Sequence, residues 1–567
     1  MELAPISREQ LTERIGRGEG VDGAIFDGDW LRGLDLRGLR LHRCRVMAGG
    51  LRAADLTRAD FRESVFSNTD FEGARMTESL LADTTFHACS FKRAHLAGAN
   101  LQGASCIESD FSDADLSRAS FANAAVVSSN WRGATFEAAD LTDCSLIQCD
   151  AFGANFSGAR LDACFASESR FTRARMGDAS LADATFARCL LDECILNGAR
   201  LNAADFSGAD LSDANLEGAD LTDVDFTDAR LTGANLRAAR IAGANLESAQ
   251  YDLASVLELD LRGAVLRGAS ARGVNLDGRD LTQADFSGAD LEAASFVGAN
   301  LSKTQFGKCR LPRANFRTAN LDATDLAGAD LSAADFSSAQ LDAVDFAGCT
   351  LSGAQFHGAT LRRCRCPGVD LATLKLADTS FLKCDLSGAA ARRIQLAGGN
   401  FTDSDFSGAS FAESEFARTK FTGCDFSKSD LTRVRMKLAD ATTADFSGAN
   451  LSHAVFEESL FARSSFEGAS LEGAVFSGCD LSECMFPGVS AAEAKFYRSR
   501  LHYADFAHAH LARSDFTYSD LLGASLHDAD ETGARWEGAD LKGVQRTDKD
   551  RLAAESFEPP RPKKGKV

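Results

Sequence analysis

Large apolar residues recur at every fifth position through most of this chain. The repeating unit consists of a small residue, an aspartate or asparagine, a large apolar residue and two small or polar residues, as in Ala-Asp-Leu-Ser-Asp at positions 209–213. We call the large apolar residue the centre of the unit. Counted in fives from Phe26, the centres stay in one frame as far as Leu541, without an insertion. A short period sustained over this length predicts a repeat architecture.

Each unit predicts a short strand followed by a corner. The small residue and the centre flank a residue that is mostly polar, so the three alternate in, out and in, as a strand does. The prolines of the repeat region, Pro312, Pro367 and Pro487, each follow a centre, and two of them precede glycine, the pair preferred in a type II turn. Four units then close a square coil, which stacks residue n on residue n+20 in parallel strands.

The Ala-(Asp/Asn)-Leu-x-x pattern resembles the pentapeptide-repeat family over nearly the whole chain. The resemblance implies an all-β fold, a right-handed quadrilateral parallel β-helix, here as a single long rod with a short N-terminal capping helix. It implies little about function, because the family is known to include DNA mimics that protect topoisomerases, secretion-associated proteins and many members without an assigned role.

Three segments are predicted along the chain. Residues 1–20 form an N-terminal cap, in which Ser7 and Gln10 match a capping box that opens a short helix. Residues 21–545 form one continuous β-helix, and the stretch from Tyr251 to Leu261 keeps phase through Val256. Residues 546–567 are basic and proline-rich and are predicted to be disordered.

Composition narrows the class of protein. The formal net charge of −21 favours solubility and disfavours direct nucleic-acid binding. No apolar stretch suggests a membrane span, and the opening residues lack the apolar region of a secretory signal. We therefore expect a cytoplasmic protein without membrane association.

The inward positions explain the residues that would otherwise indicate chemistry. All 16 cysteines occupy inward positions, so we expect buried, reduced thiols. None of the nine histidines does, and we expect none of them to be a buried base. No catalytic or phosphate-binding motif is present, so we predict no enzyme activity, no cofactor and no metal site. His508 and His527 come close in the predicted coil, but no set of four ligands is evident.

One outer face of the predicted coil carries a ribbon of carboxylates. Its densest part, which we call the acidic ribbon, consists of Asp385, Asp405, Asp425 and Asp445. One hypothesis is that the acidic ribbon mimics a row of nucleic-acid phosphates. The alternative is that aspartate is simply the default residue at this position of the repeat.

A second surface feature lies toward the C-terminal end, where apolar residues replace the usual polar ones. Val455 and Val475 share one face, Tyr497 and Tyr518 lie at its corner, and Tyr503 lies nearby on another face. An exposed apolar patch of this kind predicts a protein contact or dimerisation through the C-terminal end.

The sequence thus favours a non-catalytic, rigid scaffold or spacer that presents binding surfaces to a protein partner of unknown identity. One alternative is a DNA mimic that binds a topoisomerase or another DNA-handling enzyme. Another, which rests on the family resemblance alone, is an adaptor or effector of a bacterial secretion system.

Overall fold

The computed structural model describes residues 4–251 and 253–557, without the side chains of residues 253 and 254. The chain forms two compact units, Met1–Ala269 and Ser270–Val567. Within each unit, residue n pairs in parallel with residue n+20, as Arg75 does with His95 and Asp405 with Asp425. Both units are therefore parallel β-solenoids with the predicted coil of twenty residues.

Continuous strands form on only part of the coil. In the first unit they are β1 (Ala4–Pro5), β2 (Val21–Asp22), β3 (Ala24–Asp27), β4 (Leu41–His42), β5 (Arg45–Gly50), β6 (Val65–Asp70), β7 (Thr85–His87), β8 (Ser105–Ile107), β9 (Ala125–Val127), β10 (Ser145–Ile147), β11 (Phe165–Ser167), β12 (Arg230–Leu231) and β13 (Gln250–Tyr251). In the second unit they are β14 (Gln340–Asp342), β15 (Thr360–Arg362), β16 (Ser380–Leu382), β17 (Gln395–Ala397), β18 (Glu415–Ala417), β19 (Arg435–Lys437), β20 (Val455–Glu457) and β21 (Val475–Ser477). The strands β5 to β11, β14 to β16 and β17 to β21 each stack in chain order.

The centres and small residues fill the interior, as predicted. Phenylalanine rings at equivalent centres stack coil on coil; the ring centroids of Phe466 and Phe486 are 4.8 Å apart, and those of Phe486 and Phe506 are 4.6 Å apart. Such pairs add to the stabilisation from burial. All the cysteines are unpaired, and all are buried except Cys349, which is half-buried.

Most corners are closed by a hydrogen bond from the small residue to the centre. At Pro367-Gly368 the amide of Val369 donates to the carbonyl of Cys366 over 3.3 Å, and Gly368 has a φ of +67°. The residue before the centre supplies a second bond. At Asp220, for example, Oδ1 accepts the amide of Thr222 over 3.2 Å. This bond is an Asx turn, and it is a physical reason for aspartate and asparagine in the repeat.

Some corners that lack this cap are open, whereas others close without it; after Arg170, for example, the amide of Ala174 still donates to the carbonyl of Phe171. Every strand from β7 to β21 begins on a residue other than aspartate or asparagine. At an open corner the backbone stays extended for one more residue, and at several of them the amide of the next small residue donates to a serine in the following coil. Ala439 donates to Ser459 Oγ and Cys479 to Ser499 Oγ, both over 3.1 Å.

The N-terminal cap contains the predicted helix, α1 (Arg8–Gly16), with both bonds of the capping box between Ser7 and Gln10. A 3₁₀ turn, η1 (Gly28–Leu31), contacts α1. Leu11 on α1 is fully buried. The helix thus covers apolar surface at the start of the first unit.

The predicted continuous repeat is interrupted by a short helix, α2 (Leu253–Leu257). The frame of five is kept in the sequence, but Leu253 and Leu257 stand at corner positions that elsewhere carry mostly small or polar residues. Leucine favours helix and supplies no cap for a corner. The boundary between the two compact units follows at Ala269. A second 3₁₀ turn, η2 (Leu371–Thr373), lies within the second unit.

A third helix, α3 (Lys549–Glu555), lies in the segment predicted as a disordered tail. Asp548 caps it, since its Oδ1 accepts the amides of Asp550 and Arg551. The prediction of disorder is therefore wrong for this helix, which forms because a capping residue precedes a run of helix formers. Residues 558–567, which hold the proline-rich part of the predicted tail, lie outside the described residues.

The last coil keeps its centres partly open to solvent. The ring of Trp536 stacks on Phe516 with centroids 4.4 Å apart, and Leu541 is 36% exposed. Glu531 occupies a centre and pairs with Arg546 over 3.1 Å. Burial raises the pKa of Glu531, which fits a carboxylate at the edge of an apolar layer.

Candidate functional site

The outer surface of β17 to β21 forms a continuous strip that we call the strand face. Its corners are open, so two residues of each strand point outward, one before the centre and one after it. Val455 and Val475 are direct neighbours in this strip, since β20 pairs with β21 in parallel. Both side chains are half-buried. The structure therefore brings the two predicted valines together on an uncapped, extended surface.

A groove runs along the strand face and ends at Val455. Its volume is about 450 Å³, and it is lined by residues of β17 to β20. Residues 397, 417, 437 and 457 occupy equivalent positions in successive coils along one side of the groove. The side chains of Ala397 and Ala417 are short, whereas Lys437 and Glu457 are long and form an ion pair of 3.1 Å. The hydrogen bond to Glu457 raises the pKa of Lys437.

A hollow of about 570 Å³ adjoins this groove and shares Gln395, Leu396 and Ala397 with it. It opens where the repeat pattern is broken, because Leu374 and Ile394 occupy positions that normally hold small residues. Both are half-buried. Side chains larger than the usual small residue are thus only partly buried here, in keeping with the cost of overpacking a core.

Two of the predicted tyrosines form a pair at the corner that borders the strand face. The rings of Tyr497 and Tyr518 meet edge to face with centroids 6.1 Å apart, and the guanidinium of Arg498 lies 5.0 Å from the centroid of Tyr497. Tyr518 is 54% exposed. We call Tyr497 and Tyr518 the tyrosine pair. A partly exposed aromatic pair with an adjacent arginine has the composition of a protein-binding hot spot.

Tyr503 does not join this surface. It lies on a different corner of its coil, where its ring packs against Gly523 of the next coil and stays 63% exposed. Four of the five predicted patch residues therefore share one face and its corner, and the fifth lies apart from them.

The acidic ribbon lies on four consecutive coils. Asp385 pairs with Asp405, Asp405 with Asp425 and Asp425 with Asp445. Each Oδ1 accepts an amide from the residue two positions on, over 3.1, 2.7, 2.7 and 2.8 Å in chain order. The carboxylates are thus corner caps as well as surface charges. On the side of Asp385, the next residue in the column is Arg365.

His527 is only 2% exposed, contrary to the expectation that no histidine is buried. It lies off the inward positions, but α3 covers it. The amide of Asp548 donates to Nδ1 over 3.1 Å, and Nε2 lies 3.2 Å from Glu555 Oε2. An amide donor at Nδ1 requires the lone pair there, so the neutral ring carries its proton on Nε2 and donates it to Glu555.

His508, His527 and Glu555 form a group whose ligand atoms all lie within 4.8 Å of one another. His508 contacts Glu555 through Nε2 over 3.3 Å and Asp528 through Nδ1 over 3.0 Å. A metal ion would need the lone pair of His527 Nε2, which the bond from Asp548 does not leave free. The group is better suited to holding α3 against the last coils than to binding a metal.

No helix in the described part of the chain has the length and apolar character needed to span a membrane.

Three related family models match this chain in sequence. "Pentapeptide repeats (8 copies)" matches residues 89–125, 129–165, 152–186, 169–208, 179–218, 209–247, 260–298 and 494–530. "Pentapeptide repeats (9 copies)" matches residues 51–95, and "Pentapeptide repeat region" matches residues 299–376 and 409–496. No curated protein was found to match in sequence.

Several solved structures are similar to this chain. HetL, a pentapeptide repeat protein involved in heterocyst differentiation regulation in the cyanobacterium Nostoc sp., is 21% identical over 48% of this chain and 89% of its own, with a TM-score of 0.14. A trypsin-treated variant of QnrB1, a plasmid-mediated fluoroquinolone resistance protein, is 25% identical over 38% and 94%, with a TM-score of 0.21. A pentapeptide repeat protein from the Arabidopsis thaliana thylakoid lumen is 25% identical over 24% and 69%, with a TM-score of 0.13.

Proposed function

We propose that this chain, which belongs to the pentapeptide-repeat family, is a non-catalytic scaffold whose strand face binds a protein partner. The observation that carries the proposal is the continuity of one surface in the second unit. The groove ends at Val455, Val475 follows in the next strand, and the tyrosine pair borders the same face. A strip that mixes apolar and charged side chains, with aromatic residues and arginine at one end, is typical of protein interfaces.

The strand face is also pre-organised for binding. Its side chains project from hydrogen-bonded parallel strands over a packed core, in which Phe456 and Phe476 stack with centroids 4.6 Å apart. Little backbone entropy is lost when a partner binds to such a surface. The uncapped corners widen the strip without a loop insertion, so the partner meets a continuous, extended surface.

Affinity capture from the native extract, at low and at high salt, tests this proposal. We expect a partner that stays bound at high salt and is released by the double substitution Tyr497→Ala with Tyr518→Ala. The expected loss is about 2 kcal/mol, or about thirtyfold in Kd. Tyr503→Ala is the control, because Tyr503 is an exposed tyrosine that lies away from the strand face. Equal losses in both variants would contradict the assignment of this face.

DNA mimicry is the second candidate function, and the acidic ribbon favours it. Four carboxylates recur at the coil spacing, roughly 4.8 Å, and each leaves Oδ2 free of the corner bond. A mimic should lose its partner steeply as salt rises. Replacement of all four ribbon aspartates by asparagine should then release the partner, while the tyrosine substitutions leave it bound. The third candidate, a secretion adaptor, stays a prediction that no feature of the described residues tests.

Dimerisation through the C-terminal end is a related proposal. The last coil leaves Trp536 half-buried and Leu541 exposed, and the Trp536 amide has no backbone acceptor within the described residues. An open coil of this kind offers both apolar surface and unpaired backbone to a second copy. Analytical ultracentrifugation of the full chain should show a dimer that Trp536→Asp converts to a monomer. A wild-type monomer at high concentration would contradict it.

A further inference from the structure

Phe152 is a large aromatic residue at a corner of the first unit, where the repeat elsewhere carries mostly small or polar residues. Arginines of the preceding and following coils converge on it. The guanidinium carbon of Arg132 lies 4.6 Å from the ring centroid, that of Arg170 lies 4.8 Å away and that of Arg173 lies 5.9 Å away. We call these four residues the arginine–phenylalanine cluster.

The ring holds the guanidinium groups in place, and their pairing with carboxylates is uneven. Arg132 forms an ion pair of 2.9 Å with Asp150, and Arg173 binds Glu193 through two bonds of 2.9 and 3.0 Å. Arg170 donates from Nε to the hydroxyl of Thr172 over 3.3 Å. Among the described residues, no carboxylate forms an ion pair with Arg170. A stacked guanidinium with unpaired donors is oriented for bidentate binding of an anion.

Exposed aliphatic side chains continue the surface into the next coil. Leu190 pairs with Arg170 and is 47% exposed, and Ile195 pairs with Arg175 and is 38% exposed. Both stand at the position between a small residue and a centre, which is usually polar. The cluster is therefore bordered by apolar surface on the side of the following coil.

The local charge is opposite to that of the whole chain. At this corner, over the four coils that the cluster and its aliphatic border span, the outward positions carry four arginines, at 132, 170, 173 and 175, and three carboxylates, Asp150, Asp192 and Glu193. The chain as a whole carries −21. A corner with a small excess of arginine on an acidic protein favours a short, locally acidic ligand, while the acidic remainder repels an extended polyanion.

We propose that the arginine–phenylalanine cluster, with Leu190 and Ile195, binds an acidic segment of a partner protein that carries apolar side chains beside its carboxylates. One carboxylate pairs with the free Nη donors of Arg170, and the apolar side chains lie against Leu190 and Ile195. A nucleic acid would leave these aliphatic residues without a counterpart, and the net charge opposes its approach. This site lies in the first unit and does not depend on the strand face.

Fluorescence anisotropy with the full chain tests the proposal. The probe is a labelled synthetic peptide that alternates glutamate with leucine and glycine; a peptide with glutamine in place of glutamate, one with serine in place of leucine, and an oligothymidylate of equal charge serve for comparison. We expect the glutamate–leucine peptide to bind most tightly. Arg170→Gln should weaken it about tenfold, as loss of one charge-assisted bidentate contact does.

Two further variants separate a binding role from a structural one. Arg170→Lys keeps the charge but loses the planar group, and should still weaken binding severalfold. Arg118→Gln removes an exposed arginine at a different corner and should leave binding unchanged. Circular dichroism checks that each variant is folded. Tighter binding of the oligothymidylate, no binding of the glutamate–leucine peptide, or equal affinity of the Arg170 variants and wild type would each overturn the proposal.

Discussion

The acidic ribbon offers a direct measure of what the repeat aspartates do. Each of Asp385, Asp405, Asp425 and Asp445 caps its own corner through Oδ1 and carries a surface charge on the same group. Two quadruple variants separate these roles. Asparagine keeps an oxygen at Oδ1 and removes the charge, whereas alanine removes both.

The expected magnitudes differ clearly. A hydrogen bond of this kind contributes about 1 kcal/mol, so the alanine variant should lose about 4 kcal/mol of unfolding free energy if the four corners add independently. Asparagine keeps the bond as a neutral one and relieves repulsion between neighbouring carboxylates, which is at most about 1 kcal/mol per pair in water. Its unfolding free energy should stay within about 1 kcal/mol of wild type.

Urea unfolding followed by far-ultraviolet circular dichroism measures both variants under one condition. We expect the wild type and the asparagine variant to unfold at similar urea concentrations, and the alanine variant to unfold at a markedly lower one. If the asparagine variant were destabilised as strongly as the alanine variant, the charge rather than the cap would be the structural contribution. An unchanged alanine variant would refute the capping argument altogether.

Three other properties can be tested on the same protein. Burial raises the pKa of the Cys479 thiol to about 12, so the folded chain should resist thiol reagents near neutral pH and react after unfolding; fast labelling of the native chain would count against this. The hydrogen bond from Arg37 lowers the pKa of Asp35 to about 2 from 3.8. The contribution of this bond to stability is complete above about pH 4 and disappears as the pH falls through about 2. The urea midpoint should therefore drop over this interval, and a flat profile would contradict the prediction. His527→Ala removes the buried anchor of α3, so limited proteolysis should cleave α3 faster than in wild type or in the His453→Ala control, and equal rates would mean that other contacts hold the helix.

The sequence predicted the coil because the repeat is a local rule applied many times. A period of five with alternating inward positions specifies the pairing of n with n+20, the buried cysteines and the stacked phenylalanines. The Ser7–Gln10 capping box likewise predicted α1, since both partners lie within four residues. These features follow from contacts between residues that are close in sequence or that occupy equivalent positions in adjacent coils.

The positions that break the rule were harder to interpret. Leu253 and Leu257 kept the frame but form a helix, and Asp548 caps a helix in a segment whose composition suggested disorder. A capping residue followed by helix formers was a usable signal for α3. Phe152 also had a signal, since it is an aromatic residue at a corner position with Arg132 one coil before it.

The sequence by itself determined which side chains face inward and which residues stack, because a strict period leaves the chain one way to bury its apolar side. Only the tertiary structure decided which corners stay open and how far the strand face extends. It also decided that α3 buries His527, whose partner Glu555 lies 28 residues further along the chain. These outcomes depend on competition between side-chain caps, neighbouring coils and distant segments for the same backbone groups and surfaces, and a repeat pattern carries no information about that competition.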